Sequence, residues 1–271
     1  MDYFILGIVG IILGLVASLL GVGVGILALL VFAYYLSDLG LGGFDAVRAI
    51  FANNTLFMGV LFGLLSIRYI RQSGINTRQL FLLTISSVPI AMLLAWLVVN
   101  LNWLDTPLFY FIFCLSIGYS IYTLLTQRES SFLLECRRSG QESKKNFILM
   151  GSLSGFFQGM TSAESSTVVV PFLNRFCDIK IERAVALTTT SIAITLLAMS
   201  LTFISQTGIG SASLIQWNLL LPMWIGSTVG GFLPTGVLNK VGLKLASYVL
   251  SFFLFIVALR LLAFEVLSLD I

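Results

Sequence analysis

Histidine is absent from the 271 residues, and only 10% of them carry a charge at all. Without an imidazole there is no histidine base for a serine hydrolase and no ligand pair for an H-E-x-x-H metalloenzyme, so a membrane hydrolase is excluded. The three cysteines, Cys114, Cys136 and Cys177, lack C-x-x-C spacing, and an odd number cannot all pair internally. They read as small apolar fillers or free thiols. The scarce positive residues sit in short separate loops, which leaves no basic surface for nucleic acid. What remains is a chain that is 58% hydrophobic with mean hydropathy +1.02, the composition of an all-α polytopic membrane protein.

Uncharged segments run approximately over 3–37, 49–67, 79–104, 106–127, 146–174 (Glu164 excepted), 184–239 (dividing at 205–213) and 245–264, the last containing Arg260. The first has only Asp2 before it and no basic n-region, so it is expected to be retained structure and not a cleaved signal. A crossing needs about 20 residues, and the uncharged run from Tyr3 to Tyr35 would make a continuous helix of about 50 Å against a core of about 30 Å. The fifth segment is too long in the same way. Both are interrupted by small residues, "GLVASLLGVGVG" (Gly14 to Gly25) and "GFFQGMTSAESS" (Gly155 to Ser166).

At a separation of 141, Gly14 aligns with Gly155, Ser18 with Gly159, Gly21 with Ser162 and Gly25 with Ser166. In the same order, "RAIFANNT" (48–55) matches "RAVALTTT" (183–190), and Pro89 matches Pro222. This order points to a duplicated chain with halves 1–127 and 146–271, joined by a charged cytoplasmic linker, 128–145.

Lysine and arginine placement selects the topology. If each long segment crosses once, five basic residues of the loops 174–183 and 239–244 lie outside. If each enters and returns as a broken, re-entrant-type hairpin, the repeats are inverted, each half adds three transmembrane helices, and thirteen of the fifteen basic residues face the cytoplasm. The inverted arrangement is therefore expected. Arg260, near the outer end of the last helix, is expected to snorkel or to pair with Glu265, and Trp103 fits an outer interface anchor.

Broken backbone at membrane depth is tolerated where protein covers it or where it lines a polar cavity. Two tips approaching from opposite faces are expected to meet near the midplane, with second arms starting near Ile26 and Thr167 and their N-terminal amides aimed at one shared volume suited to an anion. The candidate ligand groups are Gly21, Gly23 and Gly25 of the first tip and Gln158, Ser162, Ser165 and Ser166 of the second. Close helix packing is the other explanation for the glycines. Asn53, Asn54, Thr55 and Thr188, Thr189, Thr190 lie five to eight residues into helices expected to begin at an Arg-Ala pair, where they could complete a ligand shell or bond between helices. Arg48 and Arg183, at opposite mouths, could attract an anion or anchor helix ends.

Several segments carry a family resemblance: the Gly14 to Gly25 motif, "GSLSGFFQG...VVVPFL", "ERAVALTTTS", "LLPMWIGSTVGGFLP" and the closing "LRLL". Together, across nearly the whole chain, they resemble the TauE/SafE sulfite exporter family, also called the toluene-sulfonate uptake permease family. The resemblance implies a secondary transporter of small anions: sulfite, related sulfur oxyanions, organosulfonates or carboxylates. Family hairpins carry a G-x-G-G-G tip, whereas here the tips read "GVGVG" and "SAESS", with Glu164 where a glycine is expected. Glu164 could carry a coupling proton, bind a cation or a positive part of the substrate, or be a structural carboxyl. No catalytic residue, metal site or cofactor is expected, and the coupling ion, proton or sodium, stays open. The expected partners are a small anion and the lipid bilayer, with a homodimer as an option, in a multi-pass plasma (inner) membrane protein. An anion channel and a non-transporting scaffold or sensor are the rival classes.

Overall fold

A computed structural model describes residues 3–20, 24–37, 43–101, 144–163, 165–177, 179–207 and 214–233, with shorter helical stretches at 108, 111–112, 114–115, 117–118, 121–122, 251–252 and 255–256. The described residues form eight named helices and no strand: α1 (Tyr3–Leu20), α2 (Val24–Ser37), α3 (Gly43–Ser73), α4 (Thr77–Asn100), α5 (Lys144–Thr161), α6 (Ser166–Cys177), α7 (Ile181–Thr207) and α8 (Trp217–Phe232). Phe44–Gln72, Thr77–Asn100 and Ile181–Ser205 are long and apolar enough to cross a membrane. Residues Gly21, Gly23, Glu164, Trp103, Arg260 and Glu265 lie outside the described residues.

The two overlong segments are each split. One helix stops at Leu20 and the next starts at Val24, while Thr161 ends α5 and Ser166 begins α6. Asp45, in the first turn of α3, favours the positive end of that helix and lets it start at Gly43, five residues before Arg48. Asn53 to Thr55 therefore lie ten to twelve residues into the helix, about 15 Å deep, and not the five to eight residues expected from an Arg-Ala start. Thr188 lies seven residues beyond the start of α7 at Ile181.

Helices α3 and α7 form the centre, 78% and 72% buried over their apolar windows, whereas α4 is 28% buried. They touch closely at Gly59, where an added Cβ would stand 3.2 Å from the Leu197 amide nitrogen. Around them, α1 packs on α8 and α4 packs on α5. Both peripheral pairs use glycine to bring backbones together. A Cβ on Gly10 or Gly14 would overlap the carbonyl oxygens of Met223 or Ser227, and one on Gly151 or Gly155 those of Leu83 or Ser87. Positions 141 apart (10 and 151, 14 and 155) thus pack on carbonyls 140 apart (83 and 223, 87 and 227). In this register Ser87 corresponds to Ser227, which places Pro89 and Pro222 at non-equivalent positions and corrects that part of the alignment.

The order of these contacts makes α5 parallel to α4. Arg78 and Lys144, near the starts of α4 and α5, accordingly lie at one end of the bundle. A second core cluster joins the same end: Leu83, Phe147, Met150, Leu173, Cys177, Ile179 and Ala184, with Ile75 and Leu80 packed on it. It gathers the starts of α4, α5 and α7 with the end of α6, so Lys180 and Arg183 belong to the end that carries Arg71, Arg78 and Lys144. Asp45 and Arg48 sit at the other end, where Arg48 Nε donates to the Val98 carbonyl near the end of α4. The outer faces are apolar, with Ile5, Ile8 and Ile12 of α1, Phe81, Ile85 and Leu93 of α4 and Leu221, Ile225 and Val229 of α8 exposed, as a hydrocarbon environment requires.

Candidate functional site

The turn between α5 and α6, the second expected tip, is flanked by polar side chains at helical spacing. Ser154 and Gln158, four residues apart on α5, share a face, and Ser165 returns to it after the turn. Gln158 Nε2 donates to Ser154 Oγ at 2.7 Å and to Ser165 Oγ at 3.1 Å, and the two hydroxyls lie 2.5 Å apart. Ser162 turns the chain with a φ of 49°, a left-handed conformation uncommon for a residue with a side chain. Its amide donates to the Gln158 carbonyl at 2.8 Å. Helix α6 then starts at Ser166 with two amides, of Val168 and Val169, donating to the Ser165 carbonyl.

Helix α3 closes this tip from the other half of the chain. Asn54 Nδ2 donates to the Ser162 carbonyl at 2.7 Å and to Ser162 Oγ at 3.1 Å. The carbonyl can only accept, so it dictates which way the amide points and turns Asn54 Oδ1 away from Ser162. Among the described residues, Asn54 Oδ1, Thr55 Oγ1, Gln158 Oε1 and Thr188 Oγ1 are buried without a hydrogen-bond partner. The two threonines differ from six others in the helices. Thr84, Thr161, Thr190, Thr195, Thr202 and Thr228 all donate to the carbonyl four residues back, the default for a helical threonine.

Neighbouring candidates have different surroundings. Asn53 Nδ2 donates to the carbonyls of Ala49 and Leu214, and its Oδ1 accepts from the Gln216 amide at 2.8 Å, so both ends of the amide hold the entry to α8. Gly25, Ser165, Ser166, Thr189 and Thr190 are buried. Arg48 bonds Asp45 Oδ1 at 3.2 Å as well as Val98 and is half-buried, whereas Arg183 is exposed at the opposite end.

The last turn of α1 is held elsewhere. Arg68 Nη1 donates to Ser18 Oγ at 3.1 Å and to the Gly231 carbonyl at 3.0 Å, and the Tyr69 hydroxyl to the Ser18 carbonyl at 3.4 Å. Asn54 and Arg68 are fourteen residues apart on α3, about 21 Å of helix, well beyond the reach of one arginine side chain. The described flanks of the two tips thus overlap past each other and do not meet in one midplane volume. Arm length is the reason: α1 and α5 have 18 residues each, about 27 Å, nearly the full thickness of the hydrocarbon core.

Ser154, Arg68 and the Ser87–Thr195 hydroxyl pair, 2.7 Å apart between α4 and α7, were not singled out in the sequence, and Ser18 entered only through the repeat. The spacing of Ser154 four residues before Gln158 is the signal that could have found one of them. Among known proteins, residues 6–261 match the family profile described as Sulfite exporter TauE/SafE. No curated protein and no solved structure matches the chain.

Proposed function

The chain belongs to the Sulfite exporter TauE/SafE family, whose members are membrane transporters and not enzymes, and from that premise we propose that it is a secondary-active permease for a small anion. The substrate class is sulfite or a related sulfur oxyanion, an organosulfonate or a carboxylate. The observation that carries this proposal is the set of buried side-chain oxygens without partners on α3, α5 and α7. Each costs about 1–3 kcal/mol when left unmet, and hydrocarbon offers no water to repair it. A polar ligand that visits these positions would supply the hydrogen bonds they lack. The start of α6 at Ser166 adds a positive helix end beside the second tip, which favours an anion.

The proposed architecture is two inverted halves, 1–127 and 146–271, with the charged linker 128–145 on the cytoplasmic face of the plasma (inner) membrane. Its support is the exchange of partners between halves: α1 packs on α8 as α5 packs on α4, through the same glycine spacing. Gathering of Arg71, Arg78, Lys144, Lys180 and Arg183 at one end agrees with the rule that basic loops stay inside. Alternating access would then rock the α1/α8 and α4/α5 pairs against the central α3 and α7. Glu164, two residues along the chain from Ser162, is the proposed proton carrier.

The test is flux into proteoliposomes for sulfite, thiosulfate, sulfoacetate and small carboxylates, with and without a pH gradient. Accumulation against a concentration gradient is expected. Purely downhill flux would make the protein a channel, and no flux of any anion would overturn the transport assignment.

A further inference from the structure

The unmet groups beside the second tip are of two chemical kinds. Thr55 Oγ1 is a hydroxyl that can donate to an anionic oxygen, whereas Asn54 Oδ1 and Gln158 Oε1 are amide oxygens that can only accept. Asn54 and Gln158 both bond Ser162, one through its side-chain amide to the Ser162 carbonyl and hydroxyl, the other through its backbone carbonyl to the Ser162 amide. Both side chains are fully buried. The Asn54 amide cannot be turned round, because a flip would set its oxygen against the Ser162 carbonyl oxygen at 2.7 Å.

A fully ionised oxyanion is a poor match for such a site. It offers acceptors alone, so it would satisfy the Thr55 hydroxyl while facing the Asn54 oxygen with like partial charge. An oxyanion that keeps one proton offers both kinds of group: ionised oxygens for the Thr55 hydroxyl, and an O–H for an amide oxygen. Resting on the transport reading above, and narrowing its substrate class to sulfite and related oxyanions that retain a proton, we infer that this protein binds its substrate as a hydrogen-bearing monoanion, with the ligand O–H donated to Asn54 Oδ1. The ligand then carries its own proton into the site, and discrimination between a protonated monoanion and one without a donor resides in Asn54.

Sulfite serves as the probe, since its second ionisation falls within the workable pH range, and methanesulfonate is a monoanion of similar shape with no O–H. In proteoliposomes of the full chain carrying Glu164→Gln, so that this carboxyl does not titrate, half-saturation expressed as hydrogensulfite should stay constant across pH. Constancy when expressed as the dianion would overturn the inference. Methanesulfonate should compete about ten-fold or more weaker than hydrogensulfite, and Asn54→Ala should erase that ratio. Because a ratio is read, a loss of folded protein does not imitate it. A ratio unchanged in Asn54→Ala, or flux that follows sodium and not the protonated species, would assign the amide oxygens to structure or to a cation and sink the idea. If no anion is transported, the transport reading fails separately. The inference is then decided by thermal shift of the detergent-solubilised protein: hydrogensulfite should stabilise the wild type and not Asn54→Ala, and no shift in the wild type would overturn it.

Discussion

Asn54 grips the Ser162 backbone carbonyl at 2.7 Å and its hydroxyl at 3.1 Å, joining the middle of α3 to the turn of a hairpin 108 residues further along the chain. One amide thus sets the height of the second tip against the central helix. It also fixes the direction of its own unmet oxygen, and so ties the position of the turn to the chemistry offered there.

Ser162 holds a φ of 49°, where a Cβ is strained by about 1–2 kcal/mol. Ser162→Gly and Ser162→Ala both lose the hydroxyl that accepts from Asn54, but only glycine relieves the backbone. Ser162→Gly should be the more stable of the two by about 1 kcal/mol, read by thermal unfolding in detergent. Equal stability would mean that the turn is not left-handed.

Gly14 and Gly155 permit backbone contact at the α1/α8 and α4/α5 crossings. Alanine at either must push two helices apart, at about 1–3 kcal/mol as for other overpacked sites. Gly63→Ala, with nothing within 4 Å of the added Cβ, is the matched control and should change little. Fluorescence-detected gel filtration after a heating series would rank the three.

Asn53 and Asn54 are neighbours with opposite prospects. Asn53 spends its whole amide on Ala49, Leu214 and Gln216, so Asn53→Ala should lower stability by about 1–3 kcal/mol while leaving the ranking of competing anions intact. A changed anion ranking would place Asn53 in the binding site.

Side assignment can be read chemically. With the three native cysteines replaced, Lys180→Cys should react with an impermeant maleimide only from the cytoplasmic face, and Asp45→Cys only from outside. Labelling of both from one face would overturn the inverted topology.

For Glu164 the expected outcome is loss of the pH-gradient drive in Glu164→Gln, with downhill flux retained. Flux with an unchanged pH dependence would remove it from coupling.

Much of the fold was legible because the relevant properties are local. An uncharged run too long for one crossing, interrupted by small residues, announces a break, and the second run does break, with α5 ending at Thr161 and α6 starting at Ser166. The equivalence of Gly14 and Gly155 was legible too, since glycine spacing survives wherever backbones touch. Pro89 and Pro222 misled: one is exposed and the other half-buried, so proline inside these helices marks no shared contact. The start of α3 was placed late because the Arg-Ala pair drew attention from Asp45, whose charge suits the true first turn.

By itself the sequence determined the helical membrane class, the two broken segments and the polar residues that flank them, because apolar length and side-chain type need no partner to be read. Only the tertiary structure decided that the described flanks of the tips overlap instead of meeting, that Asn53 is spent while Asn54 is half unspent, and that Thr55 and Thr188 lack the bond that Thr190 and Thr195 make. Those are differences between one donor or acceptor and its neighbours, and two residues with the same side chain become distinct only once the chain has brought, or failed to bring, a partner within reach.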